Sequence, residues 1–320
     1  MSNDISTGKR SSAEASEATS PGRISVVVAT HNRPELLKLA IAGVLEQDYA
    51  GDIELIVVFD KSEPDMSLAM AKDNRRIKVI ANTNTPGLAG ARNSGILAAS
   101  GQYVAFCDDD DIWLPSKLRK QVALLEDSEA LTAISGIVID YGDHSNVRIP
   151  SPEDMTLAPL VRRRVMEGHP SSVIVKRDAL LDRIGLVDEQ MPGSYGEDYD
   201  WILRAVQAGP IAVAREPLVR VRWGFSQFSQ RWEIIIQACD YLLAKHPVLG
   251  LDPRGKARLL GRKAFAYAAL GHRKDALRTA LQSLRHSLLE RRAYLALAVA
   301  AGAISAQKLL DLAHRRGLGI

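Results

Sequence analysis

Only two cysteines, Cys107 and Cys239, occur in the 320 residues, each inside an apolar periodic segment. That scarcity excludes a disulfide framework and any metal site built on C-x-x-C spacing, and it predicts a reducing, cytosolic setting. Long apolar runs are missing too. The longest, 293–304, is interrupted by Gly302 and falls well short of the roughly 20 residues a bilayer-crossing helix needs. Neither sign of charge dominates: 41 Lys and Arg face 38 Asp and Glu, a formal net charge of +3. This balance excludes a nucleic-acid binder driven by bulk charge. Residues 1–22 are rich in Ser, Ala, Thr and Glu, lack the apolar stretch of a secretory signal, and read as a disordered leader. What remains is ordinary globular composition, 46% hydrophobic and 25% charged. The chain exceeds the ~250–300 residues at which one core stops growing, so one large α/β domain with an appendage is expected.

From Ile24 the pattern changes. Ile24-Ser25-Val26-Val27-Val28-Ala29 is a β-branched run of the kind buried on both faces of a parallel sheet. Thr30-His31-Asn32-Arg33-Pro34 follows, with Asn32 as expected N-cap and Pro34 in the first turn of a helix whose Leu36, Leu37, Ala40, Ile41, Val44 and Leu45 recur at helical spacing. The alternation repeats: a strand over 53–59, a polar loop over 60–65, a short helix to about Lys72, a strand over 77–81, an Ala-rich helix over 89–99 and a strand over 102–107. Strands alternating with helices predict a doubly wound sheet, and ligands of such sheets bind at the carboxyl ends of the strands. Those ends read Thr30-His31-Asn32-Arg33, Asp60, and Asp108-Asp109-Asp110-Asp111, so polar and acidic residues converge on one rim. The region 131–221, with strands over 132–139 and 172–175 and a helix starting near Glu197, reads as the acceptor half of the same domain. Beyond Ser226 the pattern is helical, and 264–288 has the look of a helical hairpin.

Four consecutive carboxylates at a strand end repel one another unless a cation or hydrogen-bond donors compensate, so the tetrad predicts a divalent ion. Oxygen donors with open positions suit Mg²⁺ or Mn²⁺, which complete their shells with substrate phosphates.

The sequence resembles the family 2 glycosyltransferases of GT-A fold, over about residues 24–225, through four motifs in order. They are Val26-Val27-Val28-Ala29-Thr30-His31-Asn32-Arg33-Pro34; Glu54-Leu55-Ile56-Val57-Val58-Phe59-Asp60; Gly87-Leu88-Ala89-Gly90-Ala91-Arg92-Asn93-Ser94-Gly95 running on to the Asp tetrad; and Gly196-Glu197-Asp198-Tyr199-Asp200-Trp201. The resemblance implies an α/β, Rossmann-like, doubly wound mixed sheet with a C-terminal α-helical extension, divided as leader 1–22, GT-A domain 23–230 and basic helical region 231–320. It implies an inverting, metal-dependent transfer of a sugar from a nucleotide-diphospho-sugar, a UDP-sugar first, to a saccharide or lipid-linked acceptor in polysaccharide or glycolipid synthesis. Thr30, His31, Asn32 and Arg33 would contact the nucleotide, Asp60 the base, and Arg92 the capped donor. Asp108 to Asp110 would be the D-x-D motif, with Asp110 and Asp108 on the metal and Asp109 or Asp108 towards the ribose and donor sugar. Asp198 would be the general base, with Glu197 beside it, and His169-Pro170-Ser171-Ser172 would line the acceptor side.

Two departures stand out. Where the family commonly has Val-Asp-Asp-Gly-Ser, this chain has Val58-Phe59-Asp60-Lys61-Ser62, and no histidine follows the last strand in Val219-Arg220-Val221-Arg222-Trp223-Gly224. These departures also fit an alternative, a nucleotide-sugar-binding scaffold with a decayed site. A nucleotidyltransferase would carry a Gly-rich basic loop after the first strand, and Thr30 to Pro34 is not one.

The near-neutral total hides an asymmetry. Residues 252–320 hold 14 Lys and Arg against 4 Asp and Glu, a net of +10, which leaves −7 for the first 251 residues. A basic helical tail suits peripheral contact with an anionic membrane surface at its cytoplasmic face; a solvated helical face or a contact within a homo-oligomer suits it equally.

Overall fold

A computed structural model describes residues 21–142, 144–222 and 231–315. The leader expected over 1–22 lies almost wholly outside the described residues.

In chain order the elements open with β1 (Ile24–Thr30), α1 (Pro34–Leu45), β2 (Ile53–Phe59), β3 (Met70–Lys72), β4 (Arg75–Ala81), α2 (Leu88–Ala98), β5 (Tyr103–Phe106) and β6 (Ile112–Trp113). They continue with α3 (Lys117–Glu126), β7 (Thr132–Asp140), β8 (Ser145–Arg148), α4 (Leu157–Arg162), β9 (Ile174–Lys176), α5 (Arg177–Ala179), α6 (Glu197–Ala208) and β10 (Ile211–Arg222). The helices α7 (Trp232–Lys245), α8 (Pro247–Leu251), α9 (Pro253–Ala269), α10 (Arg273–His286), α11 (Arg291–Ala300) and α12 (Ala306–Arg315) complete the chain.

Strands follow the order β3-β4-β2-β1-β5-β9-β7-β10-β6, with β8 on β7. β4, β2, β1 and β5 run parallel. β9 is antiparallel to both β5 and β7, and β10 is parallel to β7. The sheet is therefore mixed, and this polarity decides what meets at the rim. The carboxyl ends of β1, β2, β5, β7 and β10 share one edge of the sheet, and β9, running the other way, brings its leading turn to the same edge.

Period-two alternation explains the burial of the first strands. Ile24, Val26 and Val28 face a core shared with Leu37, Ile41 and Val44 of α1 and Leu118, Val122 and Leu125 of α3, whereas Val27 points into a second core with α2 and α6. Each fully buried aliphatic chain of this kind stabilises by roughly 1.5–3 kcal/mol. α2 lies so close to β1 that a Cβ on Gly95 would come within 2.3 Å of Val27 Cγ1, which is why an Ala-rich helix carries glycine there.

Several local expectations are corrected. Asn32 does not cap α1: its φ is +53°, and Arg33 takes the N-cap position with Pro34 as first helical residue. The helix expected towards Lys72 is one 3₁₀ turn, Met66–Leu68, followed by the edge strand β3, because too few apolar residues lie there to bury a helix face. The strand expected over 172–175 starts two residues later, after the 3₁₀ turn Pro170–Ser172.

The C-terminal helices divide between two cores. Ile235, Ala238, Cys239 and Leu242 of α7, Leu249 of α8 and Leu259 of α9 pack into the core that contains Val27, Ile56 and Trp201. A smaller core, built on Ala264, Phe265, Ala276, Ala280, Ala293 and Ala296, joins α9, α10 and α11. α9 and α10 form the expected hairpin, turned by Gly271 at φ +79°. Among the described residues no helix is long and apolar enough to cross a membrane.

Candidate active site

The switch point lies between β1 and β5: β1 leads through α1 to β2 on one side, and β5 pairs on the other. Across this crevice the Thr30 hydroxyl donates to Asp109 Oδ2 at 2.8 Å, and Arg33 Nη1 donates to Asp109 Oδ1 at 3.2 Å and to Asp110 Oδ2 at 2.8 Å. Burial, helped by neighbouring carboxylates, raises the affinity of Asp109 and Asp110 for protons despite Arg33. Asp111 is pushed well up by burial and by Asp108.

The four acids do different work. Asp111, 1% exposed, anchors the turn: its Oδ2 accepts from Ser171 Oγ at 2.6 Å and its Oδ1 from the Arg222 N–H at 3.2 Å. The Asp108 N–H in turn donates to Ser171 Oγ at 2.9 Å. The side chains of Asp108 and Asp110 keep about a quarter of their surface open to solvent. The antiparallel β9 brings His169 to the same place, 3.7 Å from Asp108 Oδ2 and 3.4 Å from Asp111 Oδ2. Burial lowers the basicity of His169, in spite of Asp108 and Asp198, which favours its neutral imidazole. Asp108, Asp111 and His169 offer ligand atoms within 4.8 Å of one another, while Asp110 turns to Arg33. Carboxylates with one neutral imidazole and surplus negative charge form a donor set that fits a hard divalent cation.

Arg92 of α2 links the acids to α6. Its side chain is 5% exposed and donates through Nη2 to Asp108 Oδ1 and through Nη1 to Glu197 Oε1, each at 2.5 Å. Burial disfavours its charge, but Asp108 and Glu197 hold the proton on. Glu197 is pushed up to about 7 by burial and by Asp198, with Arg92 opposing. The α6 N-terminus is set by Gly196 at φ +84°, a left-handed residue that turns the chain so that Glu197 and Asp198 open the helix. Burial would raise Asp198, but Arg164, which ion-pairs with its Oδ2, together with His169 and the Tyr199 N–H, holds it below the usual carboxylate range. Two residues on, Asp200 is fully buried among Arg204, Lys245 and His246, at 2.8, 2.8 and 2.7 Å, which fixes α6 against α7. Arg204 is thus an intrahelical partner.

The remaining sequence candidates lie along the β2 side. Asp60 Oδ1 accepts from Asn82 Nδ2 at 2.9 Å and from the Gly87 N–H at 3.0 Å, and its carbonyl is 2.7 Å from His31 Nδ1. Asn32 Nδ2 lies 3.3 Å from His31 Nε2. Lys61 adopts φ +52°, a left-handed conformation that costs a non-glycine residue about 1–2 kcal/mol. Arg220 pairs with Asp140 at 3.4 Å, and Arg222 reaches the tetrad through its backbone. Of the segment after β10, Trp223 and Gly224 lie outside the described residues.

Thr30, Arg33, Asp108, Asp109 and Asp110 thus meet at the crevice, and Arg92 ties them to Glu197; His31, Asn32 and Asp60 form a neighbouring group. Sequence reasoning missed Asp111 and Ser171 as the turn's anchors, although both lie in motifs it singled out. It also missed Arg164, which lies between α4 and β9 in a segment with no pattern to reveal it.

Residues 25–183 match the family model "Glycosyl transferase family 2". Among curated proteins, the chain is 35% identical over 103 residues to the Escherichia coli UDP-Glc:alpha-D-GlcNAc-diphosphoundecaprenol beta-1,3-glucosyltransferase WfgD, covering 32% of this chain and 40% of that one. To WfaP, an Escherichia coli protein of the same activity name, it is 27% identical over 188 residues, 58% of this chain and 71% of that one. The chain thus spans less than half of the first relative and about seven-tenths of the second. Among solved structures, S. aureus TarS 1-349 in complex with UDP-GlcNAc superposes with a TM-score of 0.61 at 17% identity, covering 92% of both chains. The Pyrobaculum calidifontis mannosyltransferase PcManGT in complex with GDP-Man and Mn2+ superposes with a TM-score of 0.56 at 18% identity, over 93% of this chain and 85% of that one. The likeness to these structures shows a shared GT-A fold, and on the family model the chain belongs to glycosyl transferase family 2.

Proposed function

We propose that this protein transfers a hexosyl group, with inversion, from a nucleoside-diphosphate sugar to a hydroxyl of a lipid-linked or saccharide acceptor. The observation that carries the reading is the placement of Asp198. It is kept ionised at the start of α6, on the rim that carries Asp108 and Asp110, with Arg92 and Glu197 between them. The names of the Escherichia coli relatives support a UDP-sugar donor and a diphospho-lipid-linked acceptor in glycoconjugate synthesis.

Asp198 takes the proton of the acceptor hydroxyl as that oxygen bonds to the anomeric carbon. The bond to the diphosphate breaks on the opposite face, and its electron pair leaves with the nucleoside diphosphate. Thr30 and Arg33 hold the Asp109–Asp110 turn at the crevice, while Arg92 fixes Asp108 and Glu197 in one geometry. A Mg²⁺ or Mn²⁺ ion would be held by Asp108, with His169 and Asp111 offering ligand atoms beside it and Asp110 joining if it turned from Arg33, and it would supply charge stabilisation to the leaving diphosphate.

Incubation with UDP-, GDP- and dTDP-sugars and a diphospho-lipid acceptor is expected to release nucleoside diphosphate and form a β-linked product from an α-linked donor. Release should stop with EDTA and return with Mn²⁺. Donor binding in calorimetry without turnover on any acceptor would instead favour the scaffold reading.

The same reading extends to the basic region as a membrane contact. Leu288 and Leu289, 72% and 76% exposed at the turn between α10 and α11, stand beside the exposed Arg285 and Arg291. Flotation with anionic liposomes is expected to carry the full chain at low salt and lose it as salt rises. Equal flotation of Leu288→Ser/Leu289→Ser and wild type would count against this contact and leave the homo-oligomer alternative.

A further inference from the structure

Beside Asp198, and without Asp108 or Arg92 among its lining residues, α9 lines a second pocket together with the segment that leads into α6. Arg258 of α9 is 7% exposed, and its Nε and Nη2 have no hydrogen-bond partner. Its guanidinium lies 4.7 Å over the ring of Tyr199, and that of Arg262 lies 5.2 Å over Tyr195. Arg164, the ion-pair partner of Asp198, lines the same pocket, whose floor is apolar and includes Cys239 and Leu242. Among the described residues no carboxylate lines it.

Burying a guanidinium with unpaired N–H groups costs several kcal/mol, and like charges nearby add to that cost. Burial itself, then Arg262 and Arg292, make the Arg258 charge harder to hold, with Tyr199 offering partial relief. An anion with several acceptor oxygens removes the penalty, since the fork of N–H groups on arginine matches phosphate. The tyrosine rings hold both planar groups in fixed orientation.

Position narrows the ligand. Asp198 lines the pocket that also contains Arg92, Phe106 and Trp201, and through Arg164 it touches this second one. A group bound by the arginines therefore lies on the acceptor side of the base. We infer that Arg164, Arg258 and Arg262 form a subsite for a phosphate or diphosphate group carried by the acceptor. The inference rests on the transferase reading for the word acceptor; the anion site stands without it.

Two measurements test it on the full-length protein. With EDTA present and no donor, inorganic pyrophosphate is expected to bind in calorimetry, and Arg258→Met to weaken that binding about tenfold or more, as for the loss of one or two charged hydrogen bonds. In transfer assays, the KM for a sugar presented as an alkyl diphosphate is expected to rise about tenfold or more in Arg258→Met, with the donor KM unaffected. The same sugar as a neutral alkyl glycoside should show no such rise. Arg262→Gln, a partly exposed position, repeats both measurements if Arg258→Met does not fold. Equal pyrophosphate binding by wild type and both variants, or none by wild type, overturns the site. Arginine-dependent pyrophosphate binding with an unchanged KM for the alkyl diphosphate shows a site for free phosphate and overturns the acceptor assignment. Absence of turnover with every donor, while arginine-dependent pyrophosphate binding persists, is failure of the transferase reading alone.

Discussion

Asp198→Asn is expected to lower the kcat of transfer by about 10²–10⁴-fold, the range in which a positioned general base contributes, while donor binding in the presence of Mn²⁺ survives. The substitution keeps size and removes the charge that takes the proton. Asp198 suits the role because its environment works against burial: Arg164, His169 and the Tyr199 N–H hold the carboxyl below its usual range. It is therefore ionised throughout the neutral range, and loss of activity through its protonation sets in only under acid conditions. Glu197, its neighbour, is pushed up to about 7 and is partly protonated at the same pH. On the proposed mechanism, two adjacent acids so separated divide by environment, and the ionised one is the candidate base. A kcat for Asp198→Asn within about threefold of wild type, well below the smallest effect expected of a general base, would remove Asp198 from that role. Comparison with Glu197→Gln shows whether the function has moved to the neighbour.

Arg92→Met is expected to cost about 3–5 kcal/mol of folding stability in urea denaturation, the usual result of leaving a buried ion pair with one member. The size follows from exposure: the Arg92 and Glu197 side chains are 5% and 7% exposed, so solvent screens their attraction poorly. The loss has a pH signature. In the native protein Glu197 already sits at about 7, above its unfolded value of 4.5, so its contribution to stability is fully present below 4.5 and declines as pH rises through 7. Arg92 is the charge that limits this rise. Without it Glu197 titrates still higher, and the gap between variant and wild type should widen from pH 5 to pH 8. A gap below about 1 kcal/mol, the value of an exposed pair, or one that narrows over that interval, would show that water or another cation takes the place of Arg92.

Much of the fold was legible because it rests on local periodicity. The β-branched runs of β1 and β2, the Pro34 start of α1, and the small residues of α2 each state their own structure, and the alternation of strand and helix leaves few sheet topologies open. That the acidic run 108–111 and the Glu197-Asp198 pair reach one rim was legible because the first follows strand β5 and the second opens helix α6, and such element ends share an edge of the sheet. Asn32 as a cap was not legible as an error, since its left-handed φ is imposed by the turn at the crevice and Asn tolerates it. The strand β3 was read as helix because edge pairing with β4, not sequence period, decides it. Arg164 and Arg258 escaped because each is one arginine among 41 basic residues, and nothing in composition marks which cation is buried.

By itself, then, the sequence determined a parallel α/β core, an acidic rim at its strand ends and the family to which these belong, because all three are carried by residues close together in the chain. Tertiary structure alone decided which acids anchor and which stay open, that β9 runs antiparallel and so delivers His169 and Ser171 to the tetrad, and that Arg92 joins residues 16 and 105 positions away. It also moved part of the +10 of the C-terminal region from the solvent into a pocket beside Asp198, through Arg258 and Arg262. Those outcomes depend on strand polarity and on how helices pack across the sheet, and contacts between residues distant in the chain leave no period or spacing in the sequence.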